Sequence, residues 1–77
     1  MFEKMTSILV KYTEYPLEAM KEDTSLMTDI AINSLDYVKV IMELEDEFDI
    51  EVPENMISQI NTIGELTEYI EELVEEA

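Results

Sequence analysis

Ser34 stands in Ile32-Asn33-Ser34-Leu35-Asp36, where an apolar run ends and a helix is due to begin. The first turn of a helix offers unpaired backbone N–H groups and the positive end of the macrodipole, so a phosphate ester on Ser34 is electrostatically at home there. The bland reading of the same serine is a helix cap. Asn33, however, is itself a favoured N-cap, which makes a second capping residue partly redundant. The rest of the chain limits what chemistry Ser34 can do. There is no histidine and no cysteine, so the chain supplies no imidazole base, thiolate nucleophile, disulfide or zinc thiolate site. A serine without a base is not a self-contained hydrolase, and another protein must activate it. No catalytic residue and no metal site is expected; the acids from Asp46 to Glu54 lack the glycine-centred spacing of a calcium loop.

The elements that position this serine are legible as helices. One glycine and two prolines in 77 residues, 47% of them hydrophobic, leave few turn signals and favour a single all-α domain over residues 1–77. Phe2, Met5, Ile8, Leu9 and Tyr12 fall at helical spacing, predicting a first helix from about Phe2 to Tyr15, with Pro16 barring continuation. Residues 16–32 lose the period and read as a long loop with room for a helical turn, from which Leu17, Met20, Leu26 and Ile30 are candidates for the core. The second helix is predicted from Asn33, its cap, to about Asp49, with Asp36 at the third helical position where a carboxylate suits the macrodipole. Pro53 permits a short third helix to about Ile60. Thr62-Ile63-Gly64-Glu65 has capping-box spacing and opens a final helix with Ile63, Leu66, Ile70, Leu73 and Val74 facing inward. The expected fold is a four-helix bundle with a long first loop and a short third helix.

At about 100° per residue the second helix has two apolar faces. Tyr37, Val40, Ile41, Leu44 and Phe48 form the core stripe. Leu35, Val38 and Met42 lie nearly opposite, rimmed by Asp36, Glu43, Asp46 and Asp49, and read as a protein-docking strip inside an anionic rim. The alternative is that this second strip is ordinary core under the loop or the third helix. Methionine at position 42 suits a surface that adapts to several partners.

Charge narrows the partners further. The net charge is -16 from 20 acids and four lysines, and every lysine lies at or before Lys39. Such a chain repels phosphate backbones and anionic membranes, so nucleic acid and membrane partners are excluded and basic proteins favoured. The N-terminal stretch has neither the apolar core of a signal peptide nor that of a membrane span, giving a cytoplasmic expectation.

Taken in order, the long loop, Ser34-Leu35-Asp36 with Val38, the run Met42-Glu43-Leu44-Glu45-Asp46-Glu47-Phe48-Asp49-Ile50-Glu51-Val52-Pro53-Glu54, and then Ile60-Asn61-Thr62-Ile63-Gly64-Glu65-Leu66 with Tyr69-Ile70, resemble the acyl carrier proteins over nearly the whole chain. That resemblance implies that Ser34 receives 4'-phosphopantetheine from coenzyme A through a separate holo-acyl-carrier synthase, a phosphopantetheinyl transferase. It implies acyl thioesters on the far end of the arm, shielded between helices, in fatty acid or polyketide-type biosynthesis. It also implies a monomer whose docking residues, Leu35, Asp36, Val38, Met42, Glu43, Asp46 and Glu47, meet basic patches on acyl transferases and synthases. A specialised aminoacyl or peptidyl carrier, and an unmodified acyl-carrier-like interaction subunit, are the alternatives.

Three positions depart from the family pattern. Asn33 replaces the usual aspartate before the serine, Ala31 stands where a glycine commonly helps the turn, and Lys39 occupies a position often acidic. At Ala31 the turn must be made with ordinary angles or with strain.

Overall fold

The computed structural model describes residues 1–76. Its helices are α1 (Phe2–Leu9), α2 (Ser34–Phe48), α3 (Glu54–Ile57) and α4 (Ile63–Glu76), with short 3-10 turns at Val10–Tyr12 and Leu17–Ala19. This is the expected all-α arrangement, and α1 packs against both α2 and α4. None of these helices is long and apolar enough to cross a membrane.

The first helix ends earlier than the hydrophobic spacing predicts. Beyond Leu9 the chain tightens into a 3-10 turn, and Thr13 is extended. The Thr13 hydroxyl oxygen accepts the Tyr15 N–H at 3.2 Å, a local bond that competes with helical pairing of that donor. The predicted last turn of the helix is therefore lost.

The long segment from Thr13 to Asn33 contains one 3-10 turn and is nailed to the core by its own side chains. Met20, Leu26, Ile30 and Ile32 are buried, while Leu17, a candidate for the core, stays exposed. Its backbone is also stitched to the start of α4. The Leu26 N–H donates to the Asn61 carbonyl at 2.9 Å, the Ile63 N–H to the Thr24 carbonyl at 3.1 Å, and the Gly64 N–H to the Glu22 carbonyl at 2.8 Å. Gly64 is required by this approach: a Cβ there would lie 2.8 Å from the Glu22 carbonyl oxygen.

The second helix starts and stops almost where its signals put it. Asn33 caps it, its side-chain oxygen accepting the Asp36 N–H at 2.9 Å, and Asp49 ends it in the left-handed region at φ 53°, a conformation that Asp tolerates better than most residues. Tyr37, Val40, Ile41 and Leu44 are buried as predicted, but Phe48 is only partly buried. The Lys4 ammonium sits over its ring, 5.4 Å from the centroid, so α1 leaves that edge half open.

The third helix is a single turn, four residues long, and stops short of the predicted Ile60. The Ser58 hydroxyl turns back to the Asn55 carbonyl, and the Gln59 N–H reaches the Met56 carbonyl, closing tight turns in place of helix. The capping signal of α4 is half realised: Thr62 accepts the Glu65 N–H at 3.1 Å, and its hydroxyl donates to the Glu65 carboxylate. Ile63, Leu66 and Ile70 are fully buried, whereas Val74, expected inside, is exposed.

Candidate functional site around Ser34

Ser34 is the first residue of α2 and is exposed. Asn33 does the capping, and its amide nitrogen also donates to the Asp36 carboxylate at 3.1 Å, so the Ser34 hydroxyl has no structural bond to keep among the described residues. The backbone N–H groups of Ser34 and Leu35 likewise find no protein acceptor there. One exposed hydroxyl and two free N–H donors at the positive end of a 15-residue helix form a place where a phosphate can sit.

The approach to this serine is strained. Ala31, three residues upstream, has φ 56°, left-handed backbone that costs an L-residue with a Cβ about 1–2 kcal/mol. Of the two ways to make the turn without glycine, the chain takes strain. Ala31 also lines an open cleft of about 600 Å³ with Lys11, Tyr12, Tyr15, Asn33 and Asp36, which brings the end of the 3-10 turn after α1 to the same side of the bundle as the start of α2.

The strip opposite the core stripe is real surface. Leu35 is 77%, Met42 58% and Val38 46% exposed, which rules out the reading of these three as ordinary core. The acids around them differ in what they do. Glu43 accepts the Tyr12 hydroxyl at 2.7 Å and the Lys11 ammonium at 3.3 Å. Glu47 pairs with Lys4 at 2.7 Å, and Asp36 holds Asn33. Asp46 is exposed and makes no such bond among the described residues. The Tyr12 bond sets the electrostatics: it holds the Glu43 carboxyl below its ordinary range, helped by Lys11, and the Tyr12 hydroxyl rises because it donates to that carboxylate.

One feature of this face escapes sequence reasoning. The Lys11–Tyr12–Glu43 cluster joins residues more than thirty positions apart, and no local pattern announces it. Lys39 falls on the ridge Leu35, Lys39, Met42, Asp46, an i, i+4, i+7, i+11 series, and is exposed without an ion-pair partner among the described residues. The helical angle alone is enough to place it there.

A family described as Phosphopantetheine attachment site matches residues 3–70. The overall structure is similar to the crystal structure of an acyl carrier protein from Thermotoga maritima, with a TM-score of 0.80 and 25% sequence identity over 95% of this chain and 85% of that one. The chain belongs to the acyl carrier protein family. As a member it bears 4'-phosphopantetheine and is a carrier, not an enzyme. A phosphopantetheinyl transferase and biosynthetic enzymes are the partners of such a carrier. The start of α2 suits this prosthetic group: a hydroxyl free of structural duty for the ester bond, and unpaired N–H groups for the phosphate oxygens.

Proposed function

We propose that residues 1–77 act as one carrier domain in which Ser34 is esterified by 4'-phosphopantetheine and acyl intermediates ride as thioesters on the far end of the arm. The observation that carries this reading is the division of labour at the start of α2, where Asn33 alone satisfies the cap and Ser34 is left exposed. The thiol that the chain lacks then comes with the arm. Fatty acid or polyketide-type biosynthesis is the setting that an acidic, non-catalytic carrier fits.

In this reading the carrier works as a cytoplasmic monomer. Leu35, Val38 and Met42 are the apolar contacts for each enzyme in turn, and Asp36, Glu43, Asp46 and Glu47 steer basic patches toward them. Asp46 is the acid most free to pair with a partner. Glu43, bonded to the 3-10 turn after α1, and Glu47, bonded to α1, contribute charge while already paired, so they set the field around the strip more than the fine contacts.

The test is cargo chemistry. Purified carrier, loaded with its arm and then acylated by an acyl-carrier ligase, is treated with neutral hydroxylamine. Release of the acyl group as its hydroxamate is the expected result, since thioesters yield and amides do not. Arm-bearing protein that accepts no acyl group, or a hydroxylamine-stable adduct, contradicts the function.

A further inference from the structure

Tyr37 is 3% exposed, and its hydroxyl oxygen, sealed from solvent, has no hydrogen-bond partner among the described residues. Buried tyrosine hydroxyls ordinarily find one. A phenylalanine would bury the same ring without stranding a polar group, so an unpartnered hydroxyl at this position needs an explanation beyond packing.

Its place supplies one. Tyr37 is three residues after Ser34 in α2, about 4.5 Å along the helix axis and less than one turn away, on the side that faces the core while Ser34 faces solvent. The surrounding cluster is hydrocarbon, with Val40, Ile41, Leu44, Ile63 and Leu66 among its members. The charged group that acts on Tyr37 is Glu65, at the start of α4, and that carboxylate already receives the Thr62 hydroxyl. Burial first, and then Glu65, push the Tyr37 hydroxyl up to about 12, so it keeps its proton and acts as a donor at any physiological pH.

We propose that the Tyr37 hydroxyl is a cargo-recognition group, the hydrogen-bond donor that favours tethered acyl chains bearing an oxygen acceptor over plain hydrocarbon chains. The proposal rests on the carrier reading above. An arm fixed at Ser34 keeps its cargo at an effective concentration in the millimolar range beside the core, so one hydrogen bond is enough to bias which cargo is held. An acyl group with a β-oxo or β-hydroxyl oxygen satisfies the stranded donor when it reaches the core beside Tyr37. A saturated chain buries the donor still unpaired, and a polar site of this kind discriminates against the ligand that lacks the matching atom.

The experiment compares the parent with Tyr37→Phe in three forms: without the arm, with an octanoyl cargo, and with a β-oxo-octanoyl cargo. Both cargoes are attached through hydrolysis-resistant amide analogues of the arm, and loading is confirmed by intact mass. Without the arm, Tyr37→Phe is expected to melt no lower than the parent, because the hydroxyl has nothing to lose. In the parent the β-oxo cargo is expected to raise the thermal midpoint about 4 °C more than the octanoyl cargo, as one net hydrogen bond does in a domain of this size. In Tyr37→Phe that difference disappears while the stabilisation by octanoyl remains. Equal midpoints for the two cargoes in the parent, or the same difference in both proteins, overturns the proposal and leaves the carrier reading intact. A several-degree loss in unloaded Tyr37→Phe overturns it too, by revealing a partner in the empty protein. Failure of the arm to attach overturns the carrier reading and this proposal together.

Discussion

The Tyr12 hydroxyl donates to the Glu43 carboxylate at 2.7 Å, and the neighbouring Lys11 ammonium reaches the other oxygen of the same carboxylate at 3.3 Å. The 3-10 turn that follows α1 is thereby fastened to α2 beside the exposed strip. Glu43 ends up lowered and Tyr12 raised from their ordinary values. A carboxyl whose folded pKa is depressed contributes stability that is present above its unfolded value of 4.5 and lost as pH falls through the lower folded one. Glu43→Gln is therefore expected to melt below the parent near neutral pH. The gap between the two should close as pH falls through the lowered Glu43 value, below which both carry a neutral side chain. Midpoints recorded across that range by circular dichroism check this; a gap unchanged at low pH would mean that the ionised carboxylate contributes nothing.

Ala31 and Asp49 are the described non-glycine residues with positive φ, at 56° and 53°. Ala31 has no polar group to offset the strain, whereas the short carboxylate of Asp49 suits the left-handed region. Ala31→Gly is expected to stabilise the fold by about 1 kcal/mol, the relieved strain less the extra freedom of the unfolded chain. That is a rise of roughly 4–8 °C in the midpoint. Asp49→Gly should gain less than half as much. Equal gains, or none at Ala31, would show that the turn before Ser34 is not strained.

Ala31 and Asn33 illustrate what a sequence reveals. A missing glycine before Ser34 signals a backbone problem, and the cap at Asn33 signals where α2 starts, because both are consequences of local geometry. The core stripe of α2 and its exposed opposite face follow from helical angle for the same reason. The end of α1 does not, since a hydroxyl at Thr13 outcompetes a hydrophobic period that is intact through Tyr12. Nor is the Tyr12 to Glu43 bond legible, for it depends on how two helices meet. Val74 has a core-like type and spacing and Leu17 a core-like type, yet both stay exposed, because whether an apolar position is covered is decided by what packs over it in the fold.

Gly64 carries the close contact between the long loop and α4. A Cβ at this position lies 2.8 Å from a backbone oxygen of Glu22, which cannot swing away as a side chain does. Gly64→Ala is expected to destabilise by about 2 kcal/mol despite the better helix propensity of alanine, lowering the midpoint by roughly 10 °C. Amide exchange at Gly64 and Ile63, whose N–H groups pair with Glu22 and Thr24, should accelerate with it. A variant as stable as the parent would show that the loop backbone moves aside at no cost.

Leu35 and Met42 are large, apolar and exposed, whereas Leu44 on the opposite face of the same helix is fully buried. The double variant Leu35→Ala and Met42→Ala is expected to change stability by no more than about 0.5 kcal/mol, and Leu44→Ala to cost about 2–5 kcal/mol. Chemical denaturation distinguishes them. The double variant should still slow transfer of the arm by a phosphopantetheinyl transferase, through lost contacts and not through unfolding. A destabilisation matching that of Leu44→Ala would return the strip to the core.

The central claim, that Ser34 carries the prosthetic group, is tested most directly by weighing the intact protein after incubation with coenzyme A and a broad-specificity phosphopantetheinyl transferase, then mapping the modified peptide. Asn33→Asp runs alongside, since it restores the carboxylate usual before the serine while keeping a helix cap. The expected result is the mass of a single phosphopantetheinyl group on the peptide containing Ser34, with no addition to Ser34→Ala and faster addition to Asn33→Asp. A mass addition that survives Ser34→Ala, or none on either the parent or Asn33→Asp, would contradict the account.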